Sequence, residues 1–273
     1  MTFVLILLSV VAGVLCDDKD GGNAYRISLI DGNAIPALGL GTFLGFDENG
    51  QKPVGEHEVE YPVTWALKAG YRMIDTAAAY HNEDQVGAGV RASGVPRENV
   101  FVVTKLPSHE SRDVVSSLRN SLARLNMTYV DLYLIHSTVT FKPDDSGYDI
   151  IDYLDTWKGM EEAKKLGLAK SIGISNFNVS MIERLLANCE VKPTVLQVEV
   201  QRGVVPIPKS VRQNRVEENI DVFDFELNKE EMEILSKFNK DYRVVFPSFW
   251  QDHPYYPYER VDEPAADLFN KKE

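Results

Sequence analysis

Hydrophobic positions along this chain follow two alternating periods. Short apolar runs, typical of buried strands, are followed repeatedly by stretches whose apolar residues recur about every three to four positions, as in amphipathic helices. Strands are predicted at 71–75, 100–104, 130–135, 170–174, 195–200 and 203–207, and helices at 57–69, 83–92, 112–125, 152–166, 179–188, 212–219 and 229–238. In one chain of this length, the order predicts an α/β fold of the (β/α) barrel type, the TIM barrel, before a Rossmann sheet.

Turn and cap signals refine this pattern. Asp31-Gly32 lies between two short apolar runs and predicts an opening hairpin. The stretch GLGTFLG, residues 39–45, begins like a dinucleotide-binding fingerprint, but Leu44 stands at the place of the third glycine. We therefore interpret it as the tight exit of the first barrel strand. Asn228 and Glu231 predict a capping box at the last helix.

The stretch VLQVEVQRGVVPIPKSV, residues 195–211, breaks the alternation. Only Gln201 and Arg202 separate its two β-rich runs. Parallel neighbours need a crossover of roughly a dozen residues or more. These two strands therefore lack the connection that the rest of the chain leads us to expect.

The N-terminus carries a targeting signal. Residues 1–16 are almost wholly apolar and are followed by the polar run DDKDGG. This apolar run is too short to span a bilayer comfortably and fits a secretory signal, with small residues for cleavage near Gly13 and Cys16. We predict a cleaved signal peptide at 1–16, a secreted product and a single mature domain at 17–273. The alternative is a buried N-terminal strand or helix.

Composition and charge narrow the partners. The chain has 273 residues, 44% hydrophobic and 26% charged, with a formal net charge of -12. Such an acidic chain argues against a nucleic-acid or anionic-membrane partner, although a local basic cluster can still bind an anionic ligand. Without Cys16, the mature chain keeps Cys189, so neither a disulfide framework nor a metal-binding spacing is expected. Secretion would make the sequons at Asn126 and Asn178 usable for glycosylation.

Polar side chains end the successive apolar strands. These residues are Asp75, with Tyr80 shortly after it, then Lys105, His136, Ser175, Asn176 and Gln197. Each by itself has a structural explanation, such as a helix cap, a packed tyrosine, a solvated lysine or a core histidine. Together they occupy equivalent strand ends, which is where a barrel places its active site.

These side chains suit acid catalysis on a carbonyl group. A tyrosine hydroxyl has a reference pKa of about 10 and is a poor acid at neutral pH. An ammonium beside Tyr80 would favour the phenolate and lower that pKa, and Asp75 would keep Lys105 charged and oriented. His136 would hold a carbonyl in line. The sequence shows no nucleophile–base pair and no Cys/His cluster for a metal.

The motifs GLGTF, YRMIDTAAAY, VVTKL, VDLYLIH, SIGISNFN and IPKSV resemble the aldo-keto reductase family, in order and over nearly the whole mature chain. The resemblance implies a (β/α)8 TIM barrel that uses NADPH to reduce aldehydes and ketones. It implies that Tyr80 is the general acid and that Asp75 and Lys105 tune it. It further implies that His136 orients the substrate.

The same resemblance implies a set of cofactor-binding residues. Near the nicotinamide they are Thr42, Asp75, Ser175, Asn176 and Gln197, and at the adenosine end they are Lys209, Ser210, Arg215, Glu218 and Asn219. Lysine supplies a compact charge and arginine a bidentate fork for phosphate, so Lys209 and Arg215 favour NADPH over NADH. The alternative for both is a solvated helix start.

The substrate side rests on the C-terminal aromatic residues. The leader and the stretch GTFLGFDENGQ are similar to those of secreted insect reductases that act on ecdysteroid ketones. The stretch 244–259 resembles the family's substrate-covering loop. Its residues Phe249, Trp250, Tyr255 and Tyr256 could line a pocket for a steroid or other lipophilic carbonyl, or could simply pack over the barrel end. A small-molecule carbonyl substrate and a monomer are expected.

One segment of the family pattern is missing. VLQVEV resembles the sixth strand and GVVPIPKS the eighth, so the seventh strand and its flanking helices are absent. A βαβ unit takes about 30 residues or more, and roughly two units' worth is lost. The lost part should include an aromatic residue that stacks on the nicotinamide and a loop over the pyrophosphate. The barrel must close with seven strands or leave an open edge, with the sixth and eighth strands fused or irregularly paired, and poor cofactor affinity is expected.

Two functions therefore remain open. The first is an NADPH-dependent carbonyl reductase, supported by the catalytic residues and the phosphate clamp. The second is a catalytically impaired secreted relative that binds a lipophilic ligand or partner, supported by the missing segment. A barrel isomerase or aldolase lacks support, because Lys105 has a charge partner and no Schiff-base context beyond its strand end.

Overall fold

The computed structural model describes residues 6–10, 15–16, 21–47, 50–144, 146–198, 204–223, 228–236 and 247–262. Within these ranges the strands are β1 (Ile6–Val10), β2 (Leu15–Cys16), β3 (Arg26–Ser28), β4 (Ala34–Pro36), β5 (Leu40–Gly41), β6 (Phe46–Asp47), β7 (Gly50–Gln51), β8 (Met73–Asp75), β9 (Phe101–Leu106), β10 (Val130–Ile135), β11 (Ala169–Ser175), β12 (Val195–Val198) and β13 (Val204–Ile207). The helices are α1 (Glu60–Lys68), α2 (Glu83–Ser93), α3 (Val114–Leu125), α4 (Tyr153–Lys165), α5 (Val179–Leu186), α6 (Gln213–Ile220) and α7 (Lys229–Ser236). Short 3-10 turns lie at Ala78–Tyr80, Arg97–Asn99 and Ser248–Trp250.

The predicted alternation of strands and helices is confirmed, with shifted ends that have local causes. The first predicted helix begins at Glu60 because His57 has a left-handed backbone, with φ of 55°. The helix predicted from residue 112 begins at Val114 because the carboxylate of Asp113 caps it, accepting from the backbone N–H of Ser116. Parts of three predicted elements, at 199–200, 203 and 237–238, lie outside the described residues.

The main sheet follows the order β13-β1-β12-β11-β10-β9-β8-β5. Neighbours from β12 to β5 pair in parallel and form an incomplete TIM barrel, as the sequence predicts. Helices α1 to α4 pack side by side outside these strands, and α6 packs against α1. No helix in the described ranges is long and apolar enough to cross a membrane.

An N-terminal strand occupies the place between β12 and β13. β1 is antiparallel to both neighbours, and the Cα of Leu8 faces Gln197 on one side and Val205 on the other. Fusion or irregular direct pairing of β12 and β13 was expected, but among the described residues β1 separates them. The secretory signal that overlaps β1 stays a prediction.

Glycines allow the ring of strands to close. The backbone N–H groups of Gly39 and Gly41 donate to the carbonyls of Pro206 and Pro208, each at 3.1 Å, which brings β13 beside β5. A Cβ at Gly41 would lie 3.0 Å from the carbonyl oxygen of Ile207. The GLG stretch contains β5 and permits the close approach of β13, so it belongs to the strand itself, and only residues after Gly41 form the exit that the sequence predicts.

The predicted Asp31-Gly32 hairpin is present and covers the amino end of the barrel. β3 and β4 pair antiparallel, and Gly32 has a left-handed φ of 86°. The Asp31 carboxylate accepts from Lys164 and Ser171, which ties the turn to the start of β11. Side chains from the hairpin and the strands fill the barrel interior, namely Leu29, Ile35, Met73, Phe101, Val103, Leu132, Leu134, Val195, Val205 and Ile207.

Helices α2 and α3 approach closely at Gly87. A Cβ at this position would lie only 2.0 Å from the carbonyl oxygen of Leu125, which is backbone. We expect Gly87→Ala to lower the free energy of unfolding by about 1–3 kcal/mol, because overpacking forces the helices apart. Chemical denaturation checks this, with exposed Ala92→Ser on the same helix as the control. Equal stability of the two variants would contradict the expectation.

Candidate active site

The predicted strand-end residues converge at one end of the barrel. Asp75 ends β8, Lys105 lies in β9, His136 follows β10, Ser175 ends β11 and Gln197 lies in β12. Parallel neighbours bring their carboxyl ends to the same edge, so side chains that are far apart in sequence meet there. Tyr80 reaches this edge from the short 3-10 turn after β8.

A buried lysine forms the centre of this cluster. The Lys105 ammonium donates to Asp75 Oδ1 at 2.7 Å, to the carbonyl of Thr76 at 2.8 Å and to the Tyr80 hydroxyl oxygen at 3.3 Å. An ammonium has three N–H donors, so these acceptors match its full capacity. The lysine is fully buried, and its position is therefore set by these bonds.

The pKa values of Lys105 and Tyr80 show which group of the cluster is charged and which is neutral at neutral pH. Burial lowers the pKa of Lys105, but Asp75 and Tyr80 oppose it and the net direction is upward, so the lysine is charged at neutral pH. Burial raises the pKa of Tyr80 above its usual value, although the charge of Lys105 opposes this. The expected net lowering by the ammonium is therefore wrong, because desolvation of the phenolate outweighs it.

His136 is neutral in this environment. Burial, assisted by the charge of Lys105, lowers its pKa to about 3. Its ring lies 5.7 Å from the Tyr80 ring, centroid to centroid, in an edge-on arrangement. A neutral imidazole carries one N–H donor, which suits a carbonyl oxygen held beside Tyr80.

Amide side chains border the ion pair. The Gln197 amide donates to Asp75 Oδ2 at 2.9 Å, so both carboxylate oxygens are engaged. Asn176 adopts a left-handed backbone with φ of 57°, and its amide donates to the His136 carbonyl at 2.8 Å and to Ser175 Oγ at 3.1 Å. Ser175, Asn176 and Gln197 therefore lie at the same edge as the ion pair, and their role as nicotinamide-binding groups stays a prediction.

Thr42 lies on the opposite flank. Its hydroxyl donates to the Asp75 carbonyl at 3.0 Å, and it is buried. A narrow cleft beside it is lined by Leu40, Gly41, Thr42, Leu44, Glu58, Val59, Pro62, Lys209, Ser210 and Val211. Thr42 and the predicted phosphate-binding Lys209 therefore share one cleft.

At one end of this cleft, two lysines, Lys52 and Lys209, lie near a single carboxylate, Glu58. Burial and the nearby charge of Lys52 lower the pKa of Lys209, while Glu58 opposes them. Lys52 already holds Glu58, with 2.6 Å between Nζ and Oε1. Arg215, Glu218 and Asn219 lie on α6, at spacings that place them on one helix face. The lining of the cleft includes Lys209 and Ser210 but none of these three α6 residues, so a phosphate site shared by Lys209 and Arg215 stays a prediction.

The C-terminal aromatic residues pack mainly on the loop after β10. Trp250 contacts Phe141, with 5.3 Å between ring centroids, and Phe249 contacts Trp250 at 5.2 Å. Tyr255 packs on Tyr153 at 5.4 Å, and its carbonyl accepts from the Thr138 hydroxyl at 2.5 Å. These contacts agree with packing over the barrel end, and a substrate-binding role stays a prediction.

Several site residues were not singled out from the sequence. The ring of Phe43 packs against that of Tyr80 in a tilted arrangement, with 4.9 Å between ring centroids. Tyr258 donates from its hydroxyl to Asn176 Oδ1 at 2.7 Å. The buried Asn82 amide donates to the Thr42 carbonyl and accepts from the Thr76 hydroxyl. Phe43 is the last residue of the motif GLGTF and Asn82 follows the motif YRMIDTAAAY by two residues, which is the signal that could have found them. Among the described residues, no group of His, Cys, Asp and Glu side chains is arranged to hold a metal ion.

The fold and site together define a barrel enzyme with a buried tyrosine that is hydrogen-bonded to a lysine–aspartate pair. The Aldo/keto reductase family model matches residues 37–202. The chain is 38% identical to aldo-keto reductase AKR2E4 of Bombyx mori, over 85% of this chain and 97% of that protein. It is 31% identical to human aldo-keto reductase family 1 member C4, over 85% and 97%. This chain belongs to the aldo-keto reductase family.

Solved structures agree with this assignment. The crystal structure of Bombyx mori AKR2E4 in complex with NADP has a TM-score of 0.78 and 37% identity, covering 86% of this chain and 99% of that one. The structure of silkworm AKR2E5 has a TM-score of 0.85 and 32% identity, covering 92% and 99%. The AKR2E4 sequence match spans 304 positions but only 85% of the 273 residues here, so about 70 positions have no counterpart in this chain. That difference supports the missing segment.

The lowered pKa values of His136 and His253 predict that the stability of the fold depends on pH. Burial lowers the pKa of His253 to about 4, and it accepts from the backbone N–H of Tyr255 at 3.1 Å. Because the folded state binds these protons less readily than the unfolded state, stability is present above about pH 6.5 and is lost as pH falls toward the folded pKa values of His253 and His136. We expect unfolding free energy, measured by denaturant titration, to fall between pH 6.5 and 4.

His253→Gln should weaken this dependence. The control is His57→Gln, because Glu60 raises the pKa of His57 and gives a contribution of opposite sign. If His253→Gln loses stability on acidification as steeply as the parent chain, burial of His253 is not a cause of the dependence.

Proposed function

We propose that this chain reduces an aldehyde or ketone to an alcohol with NADPH, with the proton supplied by Tyr80. The observation that carries the proposal is the buried hydrogen-bonded array of Tyr80, Lys105 and Asp75 beside a neutral His136. Membership of the aldo-keto reductase family and the likeness to NADP-complexed structures support the cofactor.

The residues present fit such a cofactor. Ser175, Asn176 and Gln197 offer amide and hydroxyl groups next to the ion pair, where they would hold the nicotinamide amide. Lys209 and Arg215 would hold the 2′-phosphate, and phosphate binding would relieve the repulsion between Lys209 and Lys52. When bound, NADPH supplies the hydride.

The chain's own residues would control the proton. Tyr80 is protonated at neutral pH; burial raises its pKa, and the Lys105 ammonium opposes that rise. Once the proton passes to the carbonyl oxygen, the phenolate lies 3.3 Å from the Lys105 ammonium, which stabilises it. Asp75 keeps that ammonium charged, and the His136 imidazole would donate to the same carbonyl oxygen and hold it in line.

Phe43 and burial would exclude water from this step. Tyr80 is 6% exposed, and Phe43 packs against its ring. A dry site strengthens the interaction between phenolate and ammonium, since neighbouring charges interact more strongly at low dielectric. The substrate is a small carbonyl compound, and the aromatic side chains of Trp250 and Tyr255 over the barrel end support a lipophilic or steroid ketone. The protein is proposed to act as a monomer.

A second candidate is an impaired secreted relative that binds a lipophilic ligand or partner. The apolar leader at 1–16 supports secretion, and the missing internal segment supports weak cofactor binding. In such a form, ligand binding would not depend on NADPH.

Tyr80→Phe tests the proton donor. The variant keeps the ring but loses the hydroxyl, so we expect kcat for a panel of aldehydes and ketones, including a steroid ketone, to fall roughly 10²- to 10⁴-fold. NADPH affinity should stay near that of the parent chain. Tyr133→Phe is the control, because this buried tyrosine bonds Ser117 instead. Undiminished turnover by Tyr80→Phe would overturn the assignment.

Charge removal at the phosphate clamp tests cofactor choice. Lys209→Ala and Arg215→Ala should each weaken NADPH binding roughly ten- to a hundredfold, as expected for the loss of a charge-assisted hydrogen bond, and leave NADH binding nearly unchanged. Tryptophan fluorescence titration of the purified chain measures both. The exposed Lys229→Ala on α7 is the control. Equal losses for NADH and NADPH would exclude a 2′-phosphate contact.

A further inference from the structure

The strand β1 joins two elements that carry different parts of the cofactor site. On one side, β1 pairs with β12, which contains Gln197, and the amide of Gln197 donates to the Asp75 carboxylate. The strand on its opposite side, β13, leads into Lys209 and Ser210 of the cleft beside Thr42. β1 therefore lies between the amide-binding side and the phosphate-binding side.

The register makes this link specific. The Cα of Leu8 pairs with Gln197 in β12 and with Val205 in β13, and Ser9 pairs with Leu196 and Val204. A slip of one residue in a strand turns every side chain to the other face of the sheet. The pairing through β1 thus sets where Gln197 and Lys209 stand relative to each other.

Loss of β1 would leave both neighbours without their shared partner. Strands in a sheet lie about 4.7–4.9 Å apart, so β12 and β13 on either side of β1 are separated by roughly twice that distance, too far for direct hydrogen bonds. β12 would keep its pairs with β11, whereas the bonds from Gly39 and Gly41 would remain to β13. The two parts of the site would no longer share a continuous sheet.

We infer that Ile6–Val10 is a positioning strand of the cofactor site, which holds Gln197 and Lys209 in register in place of the missing internal strand. This inference rests on the proposed function. It also connects the two candidate functions, because they would differ in whether the chain retains β1. A chain that retains β1 binds NADPH, and a chain cleaved near Gly13 or Cys16 loses β1 and with it the aligned site.

The pairing is tested by cross-linking, independently of activity. In the full chain with Cys16→Ser and Cys189→Ser, we introduce Ser9→Cys and Val204→Cys. Facing residues of antiparallel strands have Cα atoms about 4.5–5.5 Å apart, which suits a disulfide. Mild oxidation should link the two positions, as read by mass spectrometry of the digested chain.

The control moves one cysteine by one residue. Ser9→Cys with Val205→Cys places the second cysteine beside Leu8 in the register, on the opposite face of β13, and should not form the link. Absence of the Ser9–Val204 link, or equal linkage in both variants, overturns the placement of β1.

The effect on the cofactor is tested with Leu8→Pro in the full chain. Proline has no backbone N–H and is not accommodated in a central strand. We expect the Kd for NADPH to rise about tenfold or more, equivalent to about 1.4 kcal/mol per tenfold, while kcat at saturating NADPH changes much less. Circular dichroism verifies that the variant is folded. Gly13→Pro, in the leader but outside β1, is the control.

The outcomes separate the inference from the proposed function. An unchanged Kd for NADPH in folded Leu8→Pro overturns the positioning role. If Leu8→Pro does not fold, the cross-linked chain with Ser9→Cys and Val204→Cys tests the positioning role instead. With the disulfide formed, this chain must bind NADPH at least as tightly as it does with the disulfide reduced; weaker binding overturns the positioning role. If the link forms but no version of the chain binds NADPH, the proposed function fails while the strand placement stands.

Discussion

The buried ion pair of Lys105 and Asp75 is the interaction on which the rest of the site depends. Moving each charge out of water costs several kcal/mol, and removing one partner of such a pair typically costs about 3–5 kcal/mol. The cost is offset because every donor and acceptor is engaged. The Thr76 carbonyl and the Tyr80 hydroxyl complete the lysine's bonds, and the Gln197 amide completes those of the carboxylate.

The hydrogen bonds of this ion pair depend on strands from several parts of the barrel. The pair is made across β8 and β9, but Gln197 comes from β12, several strands away around the sheet. β12 can present its amide only if the strands between it and β8 keep their register. On its other side β12 is paired with β1, so an N-terminal segment borders the strand that carries Gln197.

The pKa of Tyr80 shows why charge and burial must be considered together. A lysine close to a tyrosine would lower the tyrosine pKa in a polar setting, which is what the residue types suggest. In the closed site, Tyr80 is buried and desolvation of the phenolate outweighs the ammonium. The result is a protonated tyrosine beside an ammonium that would stabilise the phenolate in the proposed proton transfer.

The sequence by itself determined the alternating elements, the strand-end position of the proposed catalytic residues and the Asp31-Gly32 hairpin. It also determined the capping box, in which Asn228 and Glu231 bond each other's backbone N–H groups. These depend on local periodicity and on short-range hydrogen bonds, which nearby residues specify. Only the tertiary structure decided the location of β1, the direction of the Tyr80 pKa shift and the contact of Tyr258 with Asn176. A short apolar run can be a leader or a strand, and its local sequence does not distinguish them, because the pairing of β1 joins residues nearly two hundred positions apart. The pKa of Tyr80 depends on burial, which is a property of the assembled core.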